Sequence, residues 1–316
     1  MKEFKTIDEQ IMLLKARGLT FNNIDHAKKY LKSNNYYNII NGYSKYFQES
    51  QDQFISGTTF DEVSQLYFCD KQLKQAFFNA IINVEHHLKS IFAYNFAQEF
   101  DGKRYACLDI NSYNPNKVLT VGRTISDLTR VINFYKNKPN TPIYHYVKKY
   151  DDVPIWVIVE FLDFGQLCSL IKNSKRTVQN NICKDLLEFI TDNIGPIQEH
   201  FTPEIMMSFI ENIRELRNIC AHNNRLLKFR CRADSKYFAS LDKLSGVKNT
   251  DSRKYAYSVL ISMQCFLSPT EYRILSNTIR KKLNFLSNHL SSIKIDEILS
   301  AMGFPNDWLE NPKFRQ

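Results

Sequence analysis

The sequence predicts an all-α protein. Three observations carry that reading: helix-start signals recur along the chain, apolar residues repeat at helical spacing, and glycine and proline are scarce. Gly and Pro number nine each in 316 residues, too few for a loop-rich β protein or a disordered chain. Apolar residues make up 43% and charged residues 24%, an ordinary globular balance. The length suits one large domain or two small ones, and either could bury a full core.

Taken in order, Thr6 with Glu9 is a capping-box pattern opening a short helix that ends at Gly18. A second helix is expected over Ile24 to Lys32, then an aromatic segment from Asn35 to Tyr43 that Gly42 breaks. Thr59 with Glu62 caps a long helix. Its Leu66, Leu73, Phe77, Ile81, Val84, Leu88 and Ile91 recur every three, four or seven residues, which is helical periodicity. Residues 101–117, with Gly102, Asn114 and Pro115, read as a loop. A helix around Val121 to Lys136 ends before Pro139 and Pro142. Val153-Pro154-Ile155-Trp156 leads into an apolar helix through Leu162, interrupted by Gly165. Another helix, from about Thr177 to Asp192, stops at Gly195-Pro196.

Thr202-Pro203-Glu204 is a strong start signal: a cap residue, a proline at the first helical position, then an acid favoured by the helix dipole. Ser268-Pro269-Thr270-Glu271 repeats it for a helix reaching His289. The chain has no solenoid-like repeat and no low-complexity linker. The expected organisation is one compact unit: a helical N-terminal extension over 1–58, a core over 59–232, and a helical C-terminal region over 233–316.

The formal charge of +9 and a pI near 9.0 permit a polyanionic partner without identifying one. Seven scattered cysteines with no C-x-x-C pair suit free thiols in a reducing compartment. The N-terminus lacks the apolar stretch of a signal peptide, and the longest apolar run, Val153 to Leu162, is too short to span a bilayer. A cytoplasmic protein with no membrane partner is expected.

One hexapeptide carries chemistry: Arg217-Asn218-Ile219-Cys220-Ala221-His222. Arginine can hold a phosphate through two parallel charge-assisted hydrogen bonds, and histidine exchanges a proton near neutral pH. Projected as a helix over 203–225, Ile205, Phe209, Ile213, Leu216 and Cys220 form the core stripe, with Met206 beside it. Arg214, Asn218, His222 and Arg225 run along the opposite face, and Arg217 lies on its flank. Glu211 and Glu215 are spaced to pair with the arginines. By spacing alone, a solvated face laced with Glu–Arg pairs is the commoner origin of such a pattern.

Arg217 and His222 are five residues apart and diverge by about 140° on an ideal helix. Either the helix loosens near His222, before Asn223-Asn224, or a two-fold pairing of this face brings two copies of each residue into one cleft. Beyond the motif, Arg225, Lys228, Arg230 and Arg232 form a basic cluster able to guide an RNA backbone or to complement the helix dipole. Cys220, His222 and Cys231 lack a fourth ligand for zinc, and no Gly-rich phosphate loop is present, so no metal and no cofactor are expected.

The run Arg214 to Leu226 resembles the signature of bacterial abortive-infection proteins of the AbiD/AbiF type, within the HEPN ribonuclease superfamily. Further blocks match in order: Asn35-Tyr36-Tyr37 with Gly42-Tyr43; Gly57-Thr58-Thr59-Phe60 with Leu66-Tyr67 and Asp70; Pro154-Ile155-Trp156 with Phe164-Gly165; and Met302-Gly303-Phe304-Pro305 with Trp308. The resemblance implies a HEPN-like helical bundle, a homodimer through the motif face, and metal-independent cleavage of RNA in phage defence. It assigns Arg217 to the scissile phosphate, His222 to proton transfer and Asn218 to positioning. Arg214, Arg225, Lys228 and Arg230 become candidate RNA contacts, with Glu85 and Glu211 in support. A structured noncoding RNA is implied as a candidate inhibitor or partner. The rival reading is a non-catalytic RNA-binding or protein-binding helical module. One departure from the family pattern lies at Glu85-His86-His87-Leu88-Lys89, where Lys89 replaces an expected arginine. Glu85 and Lys89 are spaced for an ordinary helix ion pair, and His86 and His87, being adjacent, point in different directions.

Overall fold

The structure, a computed structural model, describes residues 3–222 and 224–311. Its first helices, α1 (Ile7–Ala16), α2 (Ile24–Asn34) and α3 (Tyr36–Tyr43), lead through a 3-10 turn, Ser44–Phe47, into a small antiparallel hairpin of β1 (Gln48–Ser50) and β2 (Gln53–Phe54). Then comes α4 (Phe60–Glu99), 40 residues and so about 60 Å long. The middle of the chain holds α5 (Val118–Tyr135), α6 (Pro142–Tyr150), α7 (Ile155–Ile158), α8 (Phe164–Asn173), α9 (Arg176–Ile194) and α10 (Pro203–Ala221). The last elements are α11 (Ala239–Asp242), α12 (Ala256–Ser262), α13 (Pro269–Ser287) and α14 (Ile295–Ala301). The fold is all-α, as the composition and periodicity predict.

The long helix α4 is the axis of the bundle. Phe60, Leu66, Leu73, Phe77, Ile81, Val84, Leu88, Phe92 and Phe96 are all buried along it, against α3, α7, α9, α10 and α13. One hydrophobic cluster runs from Ile11 through α4 to Leu309. The capping boxes read from sequence at Thr6, Thr59 and Ser268 all form. Glu62 does double duty: beyond its box with Thr59, it accepts the backbone N–H groups of Ser291 and Ser292, both at 2.8 Å. The start of α4 thereby holds a segment more than two hundred residues away in sequence.

Three local readings need correction. Gly42 does not break its segment, because α3 runs through it to Tyr43. The apolar stretch after Pro154 is not one helix through Leu162: α7 stops at Ile158, a 3-10 turn follows, and Leu162 is extended. Gly165 interrupts nothing, since it lies in the first turn of α8 behind a capping box of Asp163 and Gln166. The loop at 101–117 is present but contains three 3-10 turns. At the far end, Gly303 (φ +79°) has a physical necessity: a Cβ there would lie 2.5 Å from that of Tyr255. Among the described residues, no helix is long and apolar enough to cross a membrane.

Candidate functional site

The motif helix α10 begins as the sequence dictates. Thr202 caps it by accepting the Ile205 N–H, Pro203 occupies the first position, and Glu204 forms a two-pronged ion pair with Arg176 of α9. Arg176 holds the Glu204 carboxyl down to about 2. Ile205, Met206, Phe209, Ile210, Ile213 and Leu216 are buried. Cys220, projected onto the same stripe, is half-buried, because the helix is about to leave the core.

The helix ends at Ala221, four residues short of the 203–225 span used for the projection. His222 is the C-cap, with φ −93° and ψ 13°, and its N–H donates to the Asn218 carbonyl at 3.0 Å. Its imidazole is exposed, while Arg217 and Asn218 are half-buried. Asn223 lies outside the described residues. Arg217 rests over Phe78 of α4, 6.0 Å from the ring centroid. Among the described residues, the side chains of Arg217, Asn218 and His222 make no hydrogen bond or ion pair, and none joins Arg217 to His222.

A buried polar knot fixes the chain just past His222. Asp70 of α4 accepts the N–H groups of Leu226 and Leu227, both at 3.0 Å, and the Tyr43 hydroxyl at 2.8 Å. Lys74, one helical turn on, lies 3.3 Å from the same carboxylate and donates to the Asn224 carbonyl at 3.0 Å. Asp70 and Lys74 are 1% and 5% exposed, so neither can exchange its partner for water. Burial pushes the Asp70 carboxyl up, against the opposing pull of Lys74, Tyr43 and the Leu227 N–H. Spacing had not marked this pair as functional. The available signal was an Asp and a Lys four apart on the apolar stripe of Leu66, Leu73 and Phe77. Tyr43 and Tyr67, from two of the matched sequence blocks, meet edge-to-face at 5.6 Å beside it.

The other candidate residues separate into distinct neighbourhoods. Arg214 pairs with Glu211 at 3.1 Å, and Glu211 also pairs with Lys172 of α8 at 2.7 Å. Burial alone would raise the Glu211 carboxyl, but these two cations hold it below its usual range. Glu215 does not hold an arginine side chain; its carboxylate accepts the Arg232 backbone N–H at 2.9 Å. Glu85 and Lys89 form the expected ion pair at 3.1 Å. Glu85 sits with Arg214 and Glu211 around the Cys168 thiol, which their α4–α8–α10 junction buries. It lies about 10 Å along α4 from Phe78, where Arg217 rests. His87 faces the other side, its Nδ1 2.8 Å from the Phe266 carbonyl, and His86 is exposed beside Trp156.

The basic cluster also divides. Arg225 is not on the helix face: it turns back so that Nη1 donates to the Gly42 carbonyl at 2.8 Å. A Cβ on Gly42 would touch Arg225 Cδ at 3.4 Å, so a side chain larger than alanine would displace the arginine. Lys228 lies over the Tyr46 ring at 5.0 Å, whereas Arg230 points away and stacks on Tyr255 at 4.8 Å. Two parts of the predicted set therefore stay near the motif's exit, Arg225 and Lys228, and two do not, Arg214 and Arg230. Among the described residues, no three His, Cys, Asp or Glu side chains are grouped to hold a metal ion.

No curated protein and no solved structure matches the chain. A family model described as "Abi-like protein" matches residues 29–228, which span α3, α4 and the whole of the motif helix with the turn that follows it. By that match over more than half its length, the chain belongs to the Abi-like family of abortive-infection proteins.

Proposed function

We propose that this protein is a HEPN-type, metal-independent endoribonuclease acting in abortive-infection phage defence. Family membership supports the defence role. The observation that carries the chemistry is the contrast at the end of α10: Arg217, Asn218 and His222 keep their polar groups uncommitted, while the backbone just beyond them is anchored by buried Asp70 and Lys74. Uncommitted polar groups on a fixed frame are what a preorganised site requires.

In this reading Arg217 neutralises the scissile phosphate as charge builds in the transition state. The ribose 2′-oxygen attacks phosphorus and gives its proton to one imidazole. The bond from phosphorus to the 5′-oxygen breaks, and that oxygen takes a proton from a second imidazole. The products are a 2′,3′-cyclic phosphate and a 5′-hydroxyl, and DNA is resistant because it lacks the 2′-OH. Asn218 positions groups and transfers no proton.

Two imidazoles call for two chains. Five residues separate Arg217 from His222, about 140° around an ideal helix, and that divergence supports a two-fold pairing of the motif face to complete the site. Ile82, 51% exposed and one turn from Phe78 on α4, offers apolar surface beside Arg217 for a second copy to cover. The expected outcome is RNA cleavage by the purified protein in EDTA, abolished by His222→Ala, from a species of twice the monomer mass. Equal cutting by both proteins places the chemistry elsewhere. Binding of RNA without cutting by either favours the non-catalytic module.

A further inference from the structure

The turn after the motif faces a cleft whose opposite wall comes from the N-terminal helices. Two adjoining cavities of about 210 and 310 Å³ lie there, sharing Gly42, Asn224 and Arg225. Each is several times the ~30 Å³ share of one water in the liquid, so a phosphate group has room. Lys45, Arg225 and Lys228 bring three cations to this cleft, and Lys45 feels the other two strongly enough that, after burial, they help lower its pKa. Among the described residues, none of the three has a carboxylate within ion-pair distance; Arg225 is held only by the carbonyls of Asn41 and Gly42. Three mutually repelling cations without a counterion are an arrangement that a bound anion relieves.

Tyr46 lines the larger cavity, with the Lys228 ammonium 5.0 Å over its ring, while its hydroxyl is buried out of reach of solvent. At the mouth of the smaller cavity stands Tyr37, 68% exposed, with a free aromatic face. Cations spaced around an aromatic platform are the common design for single-stranded nucleic acid.

We propose that this cleft binds the phosphodiester backbone of single-stranded RNA, with Lys45, Arg225 and Lys228 around a phosphate and Tyr37 stacking a base. The N-terminal helices thus supply one half of the RNA track leading to His222, which lies three residues before Arg225. The inference rests on RNA being the ligand of the motif site, but it does not require that site to cut.

The test is equilibrium binding of a fluorescein-labelled single-stranded RNA by the full chain carrying His222→Ala, so that bound RNA is not consumed. Lys45→Glu with Lys228→Glu should raise Kd at least about tenfold and reduce the slope of log K against log salt by about 0.7, one phosphate contact's worth. Both lysines are exposed, so the variant should melt as the parent does. Tyr37→Ala should weaken binding roughly fivefold or more, the loss of one stacked base, and leave the salt slope unchanged. Parental affinity and slope in the double variant overturn the cleft, as does failure of the parent to bind RNA. Lost binding in the variants, when the chain with His222 restored cuts no RNA, upholds the cleft and removes the ribonuclease reading. Undiminished binding in the variants, when that chain does cut, removes the cleft alone.

Discussion

The two ends of the motif helix are built in opposite ways. Its N-terminal end is local: Thr202 caps its own first turn, Pro203 needs no N–H, and Glu204 meets Arg176 in water. Its C-terminal end is held from a distance. Asp70, braced by the Tyr43 hydroxyl, and Lys74 reach across 150 to 157 residues of sequence to hold the backbone of Asn224, Leu226 and Leu227. An exposed cap only starts a helix, and the same cap would serve anywhere. The buried knot sets where the helix stops, and so sets His222 on the rim of the core instead of along a continuing cylinder.

The largest test of that contrast is Asp70→Ala. It removes the carboxylate beside the buried Lys74 and the acceptor of two buried backbone N–H groups, and should cost about 3–5 kcal/mol in urea unfolding. A loss below about 1 kcal/mol would show that the C-terminal turn holds itself. Arg217→Ala should behave in the reverse manner. It gives up one exposed-to-half-buried contact with Phe78, worth no more than about 1 kcal/mol of stability, yet should lower RNA cleavage about 10²–10³-fold. Arg217→Lys keeps the charge but not the fork, and falls between. Full cleavage by Arg217→Ala would separate the uncommitted side chain from the chemistry.

The smallest effect belongs to the exposed end. Because the folded-state pKa of Glu204 is held at about 2, below its ordinary 4.5, the stabilisation is complete above pH 4.5 and fades as pH falls through about 2. Its partners are about half exposed, so solvent screening limits the gain to under about 1 kcal/mol. Glu204→Gln should therefore lower stability slightly at pH 7, with the difference shrinking in unfolding curves taken at successively lower pH below 4.5. A difference larger than that caused by Asp70→Ala would invert the comparison.

Elements with a local code were legible. The boxes at Thr6, Thr59 and Ser268 name their helices because cap and partner sit within one turn. The pairs Glu85–Lys89 and Glu211–Arg214 follow from helical spacing for the same reason. Where the outcome depends on distant partners, linear spacing does not encode it. Gly42 looks like a breaker until Arg225 is seen packed over it, and the basic cluster looks like one patch until Arg230 is found on Tyr255. The Asp163–Gln166 box is local too, cap and partner lying three residues apart, and Gly165 sits between them without breaking the turn.

The sequence alone determined that this chain is helical, where most of its helices begin, and that one face of the helix from Pro203 carries arginine, asparagine and histidine in a family-like order. These depend on contacts within a turn or two, which linear spacing encodes. Only the tertiary structure decided that the helix ends at Ala221, that His222 caps it, and that Lys45 and Tyr46 face Arg225 and Lys228 across a cleft. Those outcomes rest on where a buried carboxylate finds its donors, and a buried charge must be satisfied by whatever the fold brings to it, however far away in sequence.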